Sequence, residues 1–226
     1  MKKNILLYKK VQPDVLTLLQ QHFEVAAFDG LGEAQTPAFR AALARAHGLI
    51  GMDAAFIAAA PRLEVVSTVS VGYDAIDLPA LNARGILLCN TPEVLTETTA
   101  DTAFLLMLGA ARRVAELARW TQEGHWRRPV GEAQFGSDVH GKTLGIVGMG
   151  RIGTALARRA ALGFGMRILY HARSAKPEAE AQLGAQRREL DALLRQSDFV
   201  CLLAPLTASD DIIDEGLAKL EAALTV

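Results

Sequence analysis

Gly148, Gly150 and Gly153 stand at the spacing G-x-G-x-x-G, between an apolar run, LGIV, and a helical stretch, RIGTALARRAALGFG. Between a strand and a helix, glycines so spaced suit a dinucleotide diphosphate. The first permits a tight turn, the second lets phosphate approach the backbone, and the third lets helix and strand pack closely. The helix start adds N–H groups and a partial positive charge. Twelve residues upstream, GSDVHGKT (Gly136 to Thr143) fits the rival pattern G-x-x-x-x-G-K-[ST]. That loop must leave a strand and enter a helix. Here it follows a polar stretch and runs into LGIVGM, so Lys142 and Thr143 fall at a strand start. It reads as a turn leading into a strand.

The nucleotide type depends on the end of the next strand. An NAD site usually carries Asp or Glu about 20 residues on, for the ribose 2′-hydroxyl. This chain has HARSAK there, with Arg173, Ser174 and Lys176 and no carboxylate before Glu178. Cations and a hydroxyl suit a 2′-phosphate, so NADP(H) is favoured and NAD(H) stays possible. The plainer alternative is that Arg173 and Lys176 form a solvated helix entrance.

The elements that must position these residues follow from periodicity. NILLY, EVAAF, GLIGM, EVVSTV and GILLCN read as strands, with amphipathic stretches VLTLLQQHF, AFRAALARA, FIAAAP and PALNARG between them. This alternation predicts a parallel sheet covered on both faces. A long helix is expected from about Thr96 to Trp120, then a polar loop, EGHWRRPVGEAQFGSD. A second unit follows: strand TLGIVGM, the glycine-led helix, strand MRILYHAR, helix ELDALLRQS and strand DFVCLLAP. The fold class is α/β with two parallel-sheet units of flavodoxin or Rossmann type, the second truncated after its third strand. In a sheet ordered 3-2-1-4-5-6, such a truncation would leave LGIVGM as an edge.

The 226 residues carry a net charge of −1, so there is no electrostatic case for nucleic acid or an anionic membrane. Cys89 and Cys201 lie in apolar runs and read as buried reduced thiols, in keeping with a cytosolic compartment. In MKKNILLYKK, Lys9 and Lys10 end the apolar run short of the roughly 7–15 residues of a secretory core. Ala103–Ala111 is likewise too short for a membrane span of about 20 residues. The reading is a soluble cytoplasmic protein without a metal site.

Two stretches together, VSTVSVGYDAIDLPALNARGILLCNTPEVLTETTADT and HGKTLGIVGMGRIGTALARRAALGFG, resemble the D-isomer-specific 2-hydroxyacid dehydrogenases, in particular their glyoxylate/hydroxypyruvate (2-ketogluconate) reductase branch. The resemblance covers about residues 1–207. It implies a substrate domain over 1–95, a linking and dimerisation helix and loop over 96–140, and a partial NAD(P)-binding domain over 141–207. It also implies that the Val71 and Gly72 backbone holds the carboxylate of a small 2-keto or 2-hydroxy acid. Thr99 would lie near the cofactor phosphates. Arg151, Ile152 and Gly153 would form the diphosphate loop, Arg173 to Lys176 would meet a 2′-phosphate, and Pro205 would lie beside the adenosine. A homodimer is implied as well. Without the resemblance, Val71-Gly72 is a strand-end turn, Thr99 a helix-start residue and Pro205 a proline leaving a strand.

The family's chemistry also needs an arginine on the keto acid, and a histidine proton donor tuned by a carboxylate. The N-T-A-R-G-like, G-L-D-V-F-like and P-H-I-G-like segments that supply them do not occur in this sequence, so its catalytic residues are unknown. His22, His47, His125, His140 and His171 all lie outside those contexts. Residues 208–226 read as an unrelated C-terminal helix, with Ile213, Leu217, Leu220 and Leu224 on one stripe. The expectation is a truncated, spliced or chimeric chain that is inactive alone. The alternative is a dimerising nucleotide-binding remnant.

Overall fold

The computed structural model describes residues 2–51, 54–73 and 76–203. It divides into two compact units, one up to Val94 and one from Leu95 on. Among the described residues, no helix is long and apolar enough to cross a membrane.

The first unit alternates strand and helix: β1 Asn4–Leu7, α1 Pro13–His22, β2 Glu24–Ala27, α2 Pro37–Arg45, β3 Gly48–Ile50, α3 Ala54–Ala59, β4 Val65–Ser67, α4 Leu78–Ala83 and β5 Leu87–Cys89. The strands pair in parallel in the order β2-β1-β3-β4-β5. Helix starts are marked in the sequence. Proline opens α1 and α2, where its missing N–H costs nothing. The Thr36 hydroxyl accepts from Phe39 N at 3.2 Å, and the Asp77 carboxylate from Ala80 N at 2.9 Å. Leu6, Tyr8, Phe39, Leu49, Val66 and Leu81 close the core. Phe39 packs against the rings of Tyr8, Phe28 and Phe56.

β5 is an outer strand of this sheet, and its alternate residues Leu87 and Cys89 share an exposed face. Cys89 is therefore exposed, contrary to the buried thiol expected from its apolar neighbours.

The second unit runs α5 Thr96–Ala111, α6 Val114–Gln122, β6 Thr143–Val147, α7 Arg151–Phe164, β7 Arg167–His171, α8 Pro177–Leu183, β8 Gln186–Arg187, α9 Leu190–Gln196 and β9 Phe199–Leu202. The expected long helix is two helices. Arg113 sits in the left-handed region at φ 53°, and its guanidinium bonds Glu116, Ala133 O and Phe135 O, holding the joint in place.

The parallel sheet has the order β8-β7-β6-β9. Two parallel-sheet α/β units are thus present as expected, but the second sheet has four strands rather than three. The two-residue β8 is too short to leave a periodic signal. β6 consequently lies between β7 and β9 and is no edge. Among the described residues the edge strands are β8 and β9. On α7, Gly153, Ala155, Leu156, Ala157 and Ala160 turn inward, and the small residues let the helix lie close to the sheet. Arg159 ties α5 to α7 through Glu97 (2.8 Å) and Asp101 (2.6 Å). Pro205 and residues 208–226 lie outside the described residues.

Candidate functional site

The glycine loop joins β6 to α7. Gly148 has φ 101°, a conformation that favours glycine, and its N–H donates to His171 O at 3.0 Å. Its carbonyl accepts from Gly150 N at 2.9 Å, which folds the chain tightly into the helix. Gly150 caps α7, and its carbonyl accepts from Thr154 N. The other two glycines differ in what a side chain would meet. A Cβ on Gly153 would stand 2.4 Å from Gly148 O, whereas one on Gly150 would have nothing within 4 Å. So Gly153 closes the helix onto the loop and Gly150 keeps the space before the helix clear. The first N–H groups of an α-helix, here those at the start of α7, point out beyond its first turn. Open space, first-turn amides and the helix dipole fit a diphosphate. The rival GSDVHGKT turns at Gly141 (φ 71°) and enters β6, with no helix following.

The HARSAK loop leaves the same carboxyl end of the sheet, because His171 is in register with Val147. Arg173 and Ser174 are exposed and Lys176 is half-buried. The loop is braced from beneath by residues that sequence reading did not single out. Tyr170 is fully buried, and its hydroxyl donates to Glu180 and accepts from Lys176 N at 2.8 Å. Burial first, and the Glu180 contact second, hold the Tyr170 phenol above its ordinary pKa, so it stays a donor. Arg187 on β8 donates to Ala172 O at 3.0 Å and to Arg173 O at 3.2 Å. Nothing in the sequence flags Tyr170, an aromatic at a strand position. Arg187 is hidden by the shortness of β8.

Thr99 lies in the second turn of α5, its N–H donating to Leu95 O. It lines a mainly apolar groove of about 480 Å³ between α5 and β9, with Leu106, Met107 and Cys201 among the walls. Burial raises the pKa of the Cys201 thiol, leaving it protonated. Among the described residues, no group of three or more His, Cys, Asp or Glu could hold a metal ion.

Val71 and Gly72 belong to the first unit and follow β4 at the carboxyl end of its sheet, where open α/β sheets take their ligands. The turn's carbonyls are engaged by Thr68, Ser70 and Asn90 of the same unit.

The family profile of the D-isomer specific 2-hydroxyacid dehydrogenase, NAD binding domain, matches residues 104–221, beyond the point near Thr207 where the motif resemblance ends. The glyoxylate/hydroxypyruvate reductase B of Serratia proteamaculans is 51% identical over 211 residues, which cover 92% of this chain and 65% of that protein. The Yersinia enterocolitica protein of the same name is 48% identical over 228 residues, covering 98% of this chain and 70% of its own length. The chain thus spans about 65–70% of the length of these relatives. An NADPH-dependent glyoxylate/hydroxypyruvate reductase of Sinorhizobium meliloti, solved with NADP and malonate, superposes with a TM-score of 0.78. It is 32% identical, over 99% of this chain and 68% of that one. With a glycine turn built as the spacing requires, a family profile over half of the chain and relatives of this likeness, the chain belongs to the D-isomer-specific 2-hydroxyacid dehydrogenase family.

Proposed function

We propose that this chain binds NADPH, in preference to NADH, together with a small 2-keto acid, for the reduction of glyoxylate or hydroxypyruvate to the 2-hydroxy acid; 2-ketogluconate is a further acceptor to test. The observation that carries the reading is the braced HARSAK loop beside the glycine turn. It presents Arg173, Ser174 and Lys176, with no carboxylate before Glu178, and the next one, Glu180, is bound to Tyr170. When bound, a reduced nicotinamide supplies the hydride. The chain's own part is binding and orientation. The α7 amides and Gly150 seat the diphosphate, with Thr99 beside it. Arg173, Ser174 and Lys176 meet the 2′-phosphate, Pro205 flanks the adenosine, and the Val71 and Gly72 amides hold the substrate carboxylate. The S. meliloti relative, solved with NADP, supports the coenzyme choice. The free thiols Cys89 and Cys201 suit a reducing cytoplasm. A homodimer would form over α5 and the following loop, where Leu105, Trp126, Val130 and Phe135 are exposed.

One observation favours a second reading, binding without turnover by this chain alone. His47 accepts from Asn4 N, His171 is bonded to Arg188 O, and His125 lies beside Glu123, so each of these three histidines is engaged by a neighbour within its own unit. Titration with NADPH and NADH, followed by glyoxylate or hydroxypyruvate addition, tests both readings. NADPH should bind at least tenfold more tightly than NADH, roughly one lost charged hydrogen bond. Arg173→Ala should abolish the difference without weakening NADH. Equal affinities in the wild type would refute the NADPH preference, and turnover would refute the second reading.

A further inference from the structure

Three consecutive carbonyls of the turn after β4 are each held by a side chain of the first unit. Thr68 Oγ1 donates to Ser70 O at 2.9 Å, and Thr91 N donates to the same oxygen at 3.1 Å. Asn90 Nδ2 donates to Val71 O at 2.8 Å. Ser70 Oγ donates to Gly72 O at 2.7 Å. A trans peptide is planar, and its N–H points away from its C=O. No cis peptide occurs among the described residues. Fixing the oxygens of residues 70, 71 and 72 therefore fixes the N–H directions of Val71, Gly72 and Tyr73. Among the described residues, no acceptor takes any of these three amides. An ordinary turn spends its own N–H on its own carbonyl. Here side chains satisfy the carbonyls and leave the amides unspent. Thr68 is 1% exposed, so a buried hydroxyl is committed to this task.

We infer that Asn90, assisted by Thr68 and Ser70, is a positioning residue that aims the Val71, Gly72 and Tyr73 amides as a three-donor cradle for the substrate carboxylate. The inference rests on the carboxylate reading of Val71 and Gly72, and it adds Tyr73 N–H to the donors and Asn90 to the residues that set their direction. Asn90 touches no substrate. It acts through the Val71 carbonyl, keeping the next amide pointed outward before the anion arrives. Such preorganisation raises affinity because the ordering is not left to the binding step.

The test uses the full ¹⁵N-labelled chain and oxamate, a non-reducible 2-keto-acid analogue. In the wild type, the Val71, Gly72 and Tyr73 amide resonances should shift together along one binding curve. Asn90→Ala should weaken that curve roughly tenfold. Asn90→Asp, of the same shape but with no N–H to give, should weaken it further. Core amides such as Leu6 and Leu49 should stay in place in both variants. Ser70→Ala gives an independent readout, since it should blunt the Tyr73 response while Gly72 still shifts. A wild type whose three amides ignore oxamate overturns the carboxylate reading itself. A responding wild type with Asn90→Ala and Ser70→Ala unchanged overturns the inference alone.

Discussion

Two alanine substitutions three residues apart, at Gly150 and Gly153, should have opposite consequences. At Gly153 an added methyl would stand 2.4 Å from the Gly148 carbonyl oxygen, and real Cβ atoms do not come within 3.0 Å. Both partners are main chain, so neither can swing aside as a side-chain tip would. Overpacking of this kind costs about 1–3 kcal/mol, and alanine's better helix propensity returns up to about 1 kcal/mol. Middle values of these ranges, about 2 and about 0.5 kcal/mol, leave a net loss of about 1.5 kcal/mol, which should lower Tm by about 3–6 °C for a protein of this size. Gly150→Ala meets nothing within 4 Å, and its φ of −85° suits any residue. Weaker capping and reduced chain entropy in the unfolded state nearly offset, each within about 1 kcal/mol. Its melt should match the wild type, yet the methyl fills the space before the α7 amides. Losing even one charge-assisted contact there should weaken NADPH binding at least about tenfold. Thermal melts and fluorescence titration with NADPH read the two effects separately. The reasoning fails if Gly150→Ala binds NADPH as the wild type does, or if Gly153→Ala melts with it.

Tyr170→Phe removes the acceptor for Lys176 N and the donor to Glu180, both buried beneath the loop. It should cost about 1–3 kcal/mol and weaken NADPH more than NADH, as paired titrations would show. The same phenol predicts a pH limb. Its folded pKa is raised above the usual value near 10, so the unfolded chain releases the proton first. Stability should hold below about pH 10 and fall as pH rises through the folded pKa; the Phe variant should lack this fall in denaturant titrations. Arg187→Ala frees the Ala172 and Arg173 carbonyls and should reduce NADPH affinity several-fold with little change in Tm. Arg159→Ala should loosen α5 from α7 by no more than about 1–2 kcal/mol, since its carboxylate partners are largely exposed, and a melt should show only a small downshift.

Much of this was legible from local pattern. Gly148, Gly150 and Gly153 were readable because each answers a separate geometric demand and the flanking periodicities switch from strand to helix. Apart from β8, the strands of both sheets were readable as apolar runs bounded by turns. What escaped depends on the chain meeting itself at a distance. Arg113 breaks a helix because the 133–135 segment returns to accept its guanidinium, and no helix propensity encodes that. β8 exists only as a ladder against Leu169 and Tyr170. Cys89 is exposed because it shares the open face of β5 with Leu87, and which face is covered depends on tertiary packing rather than on the residues beside it. Asn90 and Val71 are 19 positions apart and meet only once β4 and β5 are paired. The family resemblance supplied the proposed role of Val71 and Gly72, which their residue types alone do not suggest.

The cradle after β4 is made of main-chain nitrogen, and peptide nitrogen neither gains nor loses a proton in water's ordinary range. Recognition there would be blind to acidity, unlike a site built on imidazole or carboxyl groups. Any pH dependence measured for anion binding at this cradle would therefore report groups located elsewhere.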